Sequence, residues 1–123
     1  MSKKIMVVDD SALSRRTLRR ILEGAGYGVV EAEEGMAALE LYFIEKPDLV
    51  MLDLVMKGMY GLDVLTKLRE LDAEARVVVA SADIQTSTRA LVEEAGATAF
   101  INKPFSAESV LGAVDTVLGG GAA

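Results

Sequence analysis

Asp48-Leu49-Val50-Met51-Leu52-Asp53 decides the fold class of this chain. Its four consecutive apolar residues, Leu49 to Leu52, lie between Pro47 and a stretch carrying Lys57, Gly58 and Gly61. A short unbroken run with such boundaries reads as a strand buried on both faces. A strand of that kind belongs inside a parallel sheet with helices above and below it. The run closes on a carboxylate, and in open α/β sheets ligands sit beyond the carboxyl ends of the strands, where the strand order reverses. Asp53 is thereby placed at the mouth of such a crevice.

Three other runs end in the same manner. Lys4-Ile5-Met6-Val7-Val8 stops at Asp9-Asp10, Arg76-Val77-Val78-Val79-Ala80 stops at Ser81, and Ala99-Phe100-Ile101 runs into Asn102-Lys103-Pro104. If these strands are parallel, three carboxylates, a hydroxyl and an ammonium meet at one end of the sheet. A weaker strand, Gly28-Val29-Val30-Glu31-Ala32, belongs nearer an edge.

Helical spacing fills the intervals. Ser11 can cap a helix that Gly26 ends, with Leu18, Ile21, Leu22 and Ala25 on one face and Arg15, Arg16, Arg19 and Arg20 on the other. That arginine face is either solvated or a surface for a partner protein. Gly35 to Glu45 forms a second helix with Met36, Ala38, Leu39 and Phe43 as its apolar contacts, closed by Lys46-Pro47. Gly61 to Leu71 carries Leu62, Leu65 and Leu68. The stretch ending at Gly96 has the thinnest apolar stripe, so that helix is the readiest to shift. Ser106 caps a last helix bearing Val110, Leu111, Val114, Val117 and Leu118. Strand and helix alternate five times without an internal linker, which predicts βαβ units with helices on both faces of one sheet. Residues 1–118 are expected to form one domain and residues 119–123 a flexible Gly-rich tail.

Composition narrows the chemistry. The 123 residues contain no cysteine and no histidine, which removes disulfides and the usual zinc ligands and leaves oxygen donors. A formal charge of −6 argues against direct nucleic-acid binding. The Met1-Ser2-Lys3-Lys4 start lacks the apolar stretch of a secretory signal, and no run is long enough to span a membrane. These features predict a cytoplasmic protein.

Asp9, Asp10 and Asp53 would repel one another in a shared crevice, and a divalent cation resolves the conflict. Among hard cations Mg²⁺ suits few protein oxygens plus water and draws in a phosphoryl group. Asp53 then serves as nucleophile, Lys103 neutralises phosphoryl oxygens, and Ser81 donates a hydrogen bond to one of them. The product is an aspartyl phosphate. Singly, each residue reads as a cap, a turn former or a surface lysine; their placement on successive strand ends makes the site.

The landmarks Val7-Val8-Asp9-Asp10-Ser11, Leu52-Asp53-Leu54-Val55-Met56 with Gly61, Val79-Ala80-Ser81-Ala82, and Gly96-Ala97 through Phe100-Ile101-Asn102-Lys103-Pro104-Phe105 resemble the receiver domains of bacterial two-component response regulators. The resemblance runs from about Lys4 to Leu118. It implies a flavodoxin-like (βα)5 sandwich with five parallel strands in the order 2-1-3-4-5, a class of which receivers are themselves an example. It also implies that Asp53 accepts phosphate from a histidine kinase or histidine phosphotransfer protein. Asp10, Asp53 and the Val55 carbonyl would bind Mg²⁺, with Asp9 assisting through water. Ser81 and Phe100 would form the conformational switch, Lys103 would contact the phosphoryl group, and Lys103-Pro104 would be cis. Output would pass to a downstream protein effector, from a monomer or a weak phosphorylation-dependent dimer. The molecule would be a switch and not a turnover enzyme.

Two departures fall after Asp53, where the family's Met-Pro-Gly is replaced by Met56-Lys57-Gly58-Met59-Tyr60-Gly61. Lys57 removes a fixed φ and adds charge near the mouth, so loop rigidity and phosphate lifetime are open. Val55 and Asp83 would tune hydrolysis. A Mg²⁺-dependent phosphatase of the haloacid-dehalogenase type is the competing enzyme reading, but Val55 stands where its second aspartate is needed. A flavodoxin-like cofactor binder would place phosphate against Asp9-Asp10. A receiver-like module that binds partners without phosphorylation would not require all five site residues.

Overall fold

The computed structural model describes residues 3–54, 61–81 and 86–119, with the backbone alone at 86–88. The Val55 carbonyl, Asp83, residues 56–60 and residues 120–123 lie outside the described residues. Strands β1 (Lys4–Val8), β2 (Gly28–Ala32), β3 (Leu49–Asp53), β4 (Val77–Ser81) and β5 (Ala99–Asn102) alternate with helices α1 (Ala12–Gly24), α2 (Gly35–Glu45), α3 (Gly61–Leu71), α4 (Thr86–Glu94) and α5 (Ala107–Val114). A π-helical turn over Asp115–Gly119 continues α5. The strands form one sheet in the order β2-β1-β3-β4-β5, and every neighbouring pair is parallel.

Alternation along the strands divides the interior in two. Met6, Val8, Val50, Leu52, Val77 and Val79 face Ala38 of α2, Val64, Leu65 and Leu68 of α3, and Val92 of α4. Ile5, Val7, Leu49, Met51, Val78 and Ala80 face Leu18 and Leu22 of α1 and Val110 and Val114 of α5. Both faces of β3 are therefore covered, and all five of its residues are buried. This is why Leu49 to Leu52 had to be continuously apolar.

Two helix ends obey the expected chemistry. Ser11 Oγ accepts the Ser14 N–H at 3.2 Å and Ser106 Oγ accepts the Ser109 N–H at 3.1 Å, so each serine satisfies an orphan donor of a first turn. Gly26, at φ +96°, reverses the chain after α1 into β2.

Two side-chain expectations are corrected. Met36 and Phe43 of α2 do not supply core contacts; they are 55% and 57% exposed, and Ala37, Ala38, Leu39, Leu41 and Tyr42 pack inward instead. α2 is apolar around most of its circumference, so spacing alone does not select the inner face. Tyr42 is held by a residue 30 positions away, its hydroxyl donating to Asp72 at 2.6 Å. Burial, then the bond to Asp72, pushes the Tyr42 pKa up. The arginine face of α1 also divides. Arg15 and Arg19 turn toward β2 and bind Glu31 at 3.0 and 2.6 Å, while Arg16 and Arg20 remain exposed.

Candidate functional site

Register brings the strand ends together. Val8 pairs with Leu52, Asp53 with Ala80, and Ser81 with Asn102, so Asp9, Asp53, Ser81 and Lys103 leave the sheet at neighbouring positions. Asp9, Asp53 and Ser81 are 1%, 6% and 4% exposed, whereas Asp10 is exposed. The adjacent aspartates thus divide: one carboxylate lies under the crevice and the other at its rim.

Asp9 is held on every side. Its N–H donates to the Ala32 carbonyl at 3.1 Å. Oδ1 accepts the Ser11 N–H at 2.9 Å, and Oδ2 accepts from Lys103 Nζ at 3.0 Å. Its carbonyl accepts from Arg15 Nη1 at 2.7 Å. A carboxylate taken out of water needs such partners, because an unpaired one would cost several kcal/mol or more.

Lys103 Nζ also lies 3.5 Å from Asp53 Oδ1, so the ammonium spans the two carboxylates. Burial pulls its pKa down, but hydrogen bonding and charge from Asp9, then from Asp53, outweigh burial and leave it raised. The Lys103-Pro104 peptide is cis, as the motif implies. Lys103 Nζ sits 5.7 Å from the centroid of the Phe105 ring, within cation–π range.

One carboxylate oxygen from each of Asp9, Asp10 and Asp53 lies within 4.8 Å of the other two. At an effective dielectric of 20, two unit charges about 5 Å apart repel by about 3 kcal/mol. Three such pairs would rival a domain's whole stability of about 5–15 kcal/mol. One lysine cannot balance three carboxylates, and the donor set suits a hard divalent cation of the Mg²⁺ type.

Gly61 fixes the other side of β3. A Cβ there would meet the Asp53 carbonyl oxygen and lie 2.6 Å from Leu54 Cα, while the Gly61 N–H donates to the Leu54 carbonyl at 2.9 Å. Only glycine lets α3 begin this close to the main chain of Asp53.

Residues 5–115 match the response regulator receiver domain. The chain belongs to this family. It is 41% identical to the chemotaxis protein CheY of Bacillus subtilis, covering 96% of this chain and 99% of that protein. The solved structure of Vibrio cholerae CheY4 superposes with a TM-score of 0.92 at 26% identity, covering 96% of this chain and all of that one. A chain of the CheX–CheY–BeF3–Mg²⁺ complex from Borrelia burgdorferi matches at TM-score 0.90 and 30% identity, with coverage of 94% and 88%.

Within this receiver, the expected side chains Asp9, Asp10, Asp53 and Lys103 gather at one end of the sheet, and Ser81 ends the adjoining strand. Phe100 stands apart from them, half-buried on β5, with the Arg89 guanidinium 5.1 Å from its ring centroid. A groove of about 680 Å³ runs beside it between β5 and α5, lined in part by Asn102, Pro104 and Ser109. Two contributors were not legible as site residues. In the sequence Gly61 is a boundary and a family landmark with no contact assigned to it, and Arg15 belongs to a surface face of the first helix. Among the described residues, no helix is long and apolar enough to cross a membrane.

Proposed function

We propose that this receiver accepts a phosphoryl group on Asp53 from a histidine kinase or histidine phosphotransfer protein, in a Mg²⁺-dependent reaction in the cytoplasm. The observation carrying this reading is the position of Asp53, at a strand end beside two further carboxylates and 3.5 Å from Lys103. A bond forms between an Asp53 carboxylate oxygen and phosphorus as the donor's nitrogen–phosphorus bond breaks, returning the histidine. Asp10, Asp53 and the Val55 carbonyl would hold Mg²⁺, with Asp9 acting through water; the bound ion would supply charge neutralisation to the phosphoryl oxygens. Lys103 supplies a second positive charge to the same oxygens. The BeF3 and Mg²⁺ in the related CheX–CheY complex support both the ion and a protein partner. Val55, at the place a phosphatase would need its second carboxylate, favours a stable product over turnover.

The phosphoryl group adds about 1.5 to 2 negative charges. Ser81 would move to donate to it, and Phe100 would rotate into the space released, changing the surface beside the β5–α5 groove. The decisive experiment is incubation with acetyl phosphate and Mg²⁺, followed by intact-mass analysis. One phosphoryl group, labile to hydroxylamine, is expected on the native protein and none on Asp53→Asn. The same adduct on the variant would end the assignment.

A further inference from the structure

Arg15 lies on α1, and its side chain is only 12% exposed despite its charge. Its guanidinium makes three contacts in different directions. Nε donates to Glu31 Oε1 at 3.0 Å, Nη2 reaches Glu33 Oε1 at 3.5 Å, and Nη1 donates to the main-chain carbonyl of Asp9 at 2.7 Å. That carbonyl belongs to the peptide joining Asp9 to Asp10. The Asp9 N–H is already fixed to Ala32 of β2, so the Arg15 contact fixes the remaining freedom, the tilt of the Asp9–Asp10 peptide plane. The directions of both carboxylates depend on that plane.

Arg19 provides a natural comparison. It shares Glu31, binding Oε2 at 2.6 Å, but its remaining contacts are Glu23 Oε2 at 3.0 Å and the Val29 carbonyl at 3.2 Å. Both arginines tie α1 to β2, and of the two Arg15 alone is bonded to the peptide between the aspartates. A lysine could offer a charge at Arg15's place but not a planar fork that bridges a carboxylate and a carbonyl at once.

We infer that Arg15 is a positioning residue for the cation site, clamping the Asp9–Asp10 peptide so that both carboxylates are preset for Mg²⁺. The inference rests on the metal-dependent reading above and adds a residue to it. Coulomb's law and the clamp predict opposite signs. Removing a nearby positive charge should by itself tighten binding of a cation, whereas releasing the peptide should weaken it.

Mg²⁺ affinity of the unphosphorylated protein, measured by titration calorimetry, separates the two. Arg15→Gln should bind Mg²⁺ about tenfold more weakly, the lower end of the loss seen when an outer-shell partner of a metal ligand is removed. Arg19→Gln, which loses the same charge, should bind as tightly as the native protein or more so. Acetyl phosphate labelling of Arg15→Gln should need correspondingly more Mg²⁺ yet reach nearly the native rate at saturation, a split that general loss of structure would not produce. If Arg15→Gln does not fold, Arg15→Lys keeps the charge, and weaker Mg²⁺ binding by it is expected from the clamp alone. Unchanged or tighter binding by the folded Arg15 variant overturns the inference while the phosphoacceptor reading stands. A native protein that does not bind Mg²⁺ overturns both.

Discussion

On one side of β3, α1 buries Leu18 and Leu22 and ties itself to β2 through Arg15, Arg19 and Glu31. On the other side, among the described side chains of α4 (89–94), only Val92 is buried, and Leu91 is 54% exposed. Asp53 stands between α1, held by several independent means, and α4, which among its described side chains buries one. The difference fits the two tasks proposed for this receiver, which a single rigid sheet could not perform. Carboxylates that receive a cation must be preset, while a surface that reports the event needs a second arrangement within a few kcal/mol of the first. Elements that move are drawn from those with few buried contacts.

The comparison breaks most visibly under paired truncations. Leu22→Ala should lower global stability by about 3 kcal/mol, through lost transfer energy and the cavity left in the α1–α5 layer. Val92→Ala removes two methyl-sized groups and should cost about 2 kcal/mol, but the loss should be concentrated in α4. Denaturant midpoints give the first quantity, and amide hydrogen exchange locates the second. Val92→Ala should speed exchange in α4 well before α1, whereas Leu22→Ala should raise exchange throughout. Uniform acceleration in both variants would mean that the flanks unfold as one unit.

The reporting flank can be tested with beryllofluoride and Mg²⁺ standing in for the phosphoryl group. Turning a 1:99 equilibrium into 99:1 needs about 5.5 kcal/mol, and one hydrogen bond from Ser81 supplies about 0.5–1.5 kcal/mol. On the proposed switch, the Phe100 ring and Lys103 contribute much of the remainder. Beryllofluoride should therefore change α4 amide protection in the native protein, and Phe100→Ala should reduce that change by about tenfold, or about 1.4 kcal/mol. Exchange in α1 should respond little in either protein. A full response in Phe100→Ala would remove the ring from the coupling without touching the acceptor.

How much of this was legible in the sequence depended on where the deciding partner lay. Leu49 to Leu52 announced a doubly covered strand because burial on both faces leaves no other composition, and the parallel sheet followed. The meeting of Asp9, Asp53 and Lys103 followed in turn, since parallel strands of similar length must end together. Side chains chosen by a distant partner were not readable. Tyr42 turns inward for Asp72, displacing Phe43 from its expected role, and Arg15 and Arg19 turn toward Glu31 on the neighbouring strand. Helical spacing reports which residues share a face, not which charge waits across the gap. Nor does an Asp-Asp pair reveal which member is buried; the Ser11 N–H and Lys103, both on Asp9, decide that. Gly61 stood in the motif without a reason, because a missing Cβ explains nothing until the Asp53 carbonyl is seen against it.

Lys103 joins the two flanks, reaching from the end of β5 across Asp53 to Asp9 at the end of β1. Its pKa in the fold lies above the ordinary 10.5 although burial opposes this, because Asp9 and Asp53 prefer the ammonium. The sign of the pH dependence follows. A cation whose folded pKa exceeds its unfolded one contributes its full stabilisation below the unfolded pKa, and that contribution fades as pH rises through the folded value. In Mg²⁺-free buffer the native protein should therefore be more stable than Lys103→Met at pH 8 to 9, by about 1 kcal/mol as for a hydrogen-bonded ion pair. The advantage should shrink once the pH passes about 10.5. Tyr27 and Tyr42, both raised mainly by burial, are common to both proteins and cancel in the difference. This is the smallest of the expected effects because desolvation of Lys103 offsets part of the attraction. A stability difference that stays constant from pH 8 to 11 would show that Lys103 joins the flanks by packing, through its stem and the Phe105 ring, and that its charge is reserved for the incoming phosphoryl group.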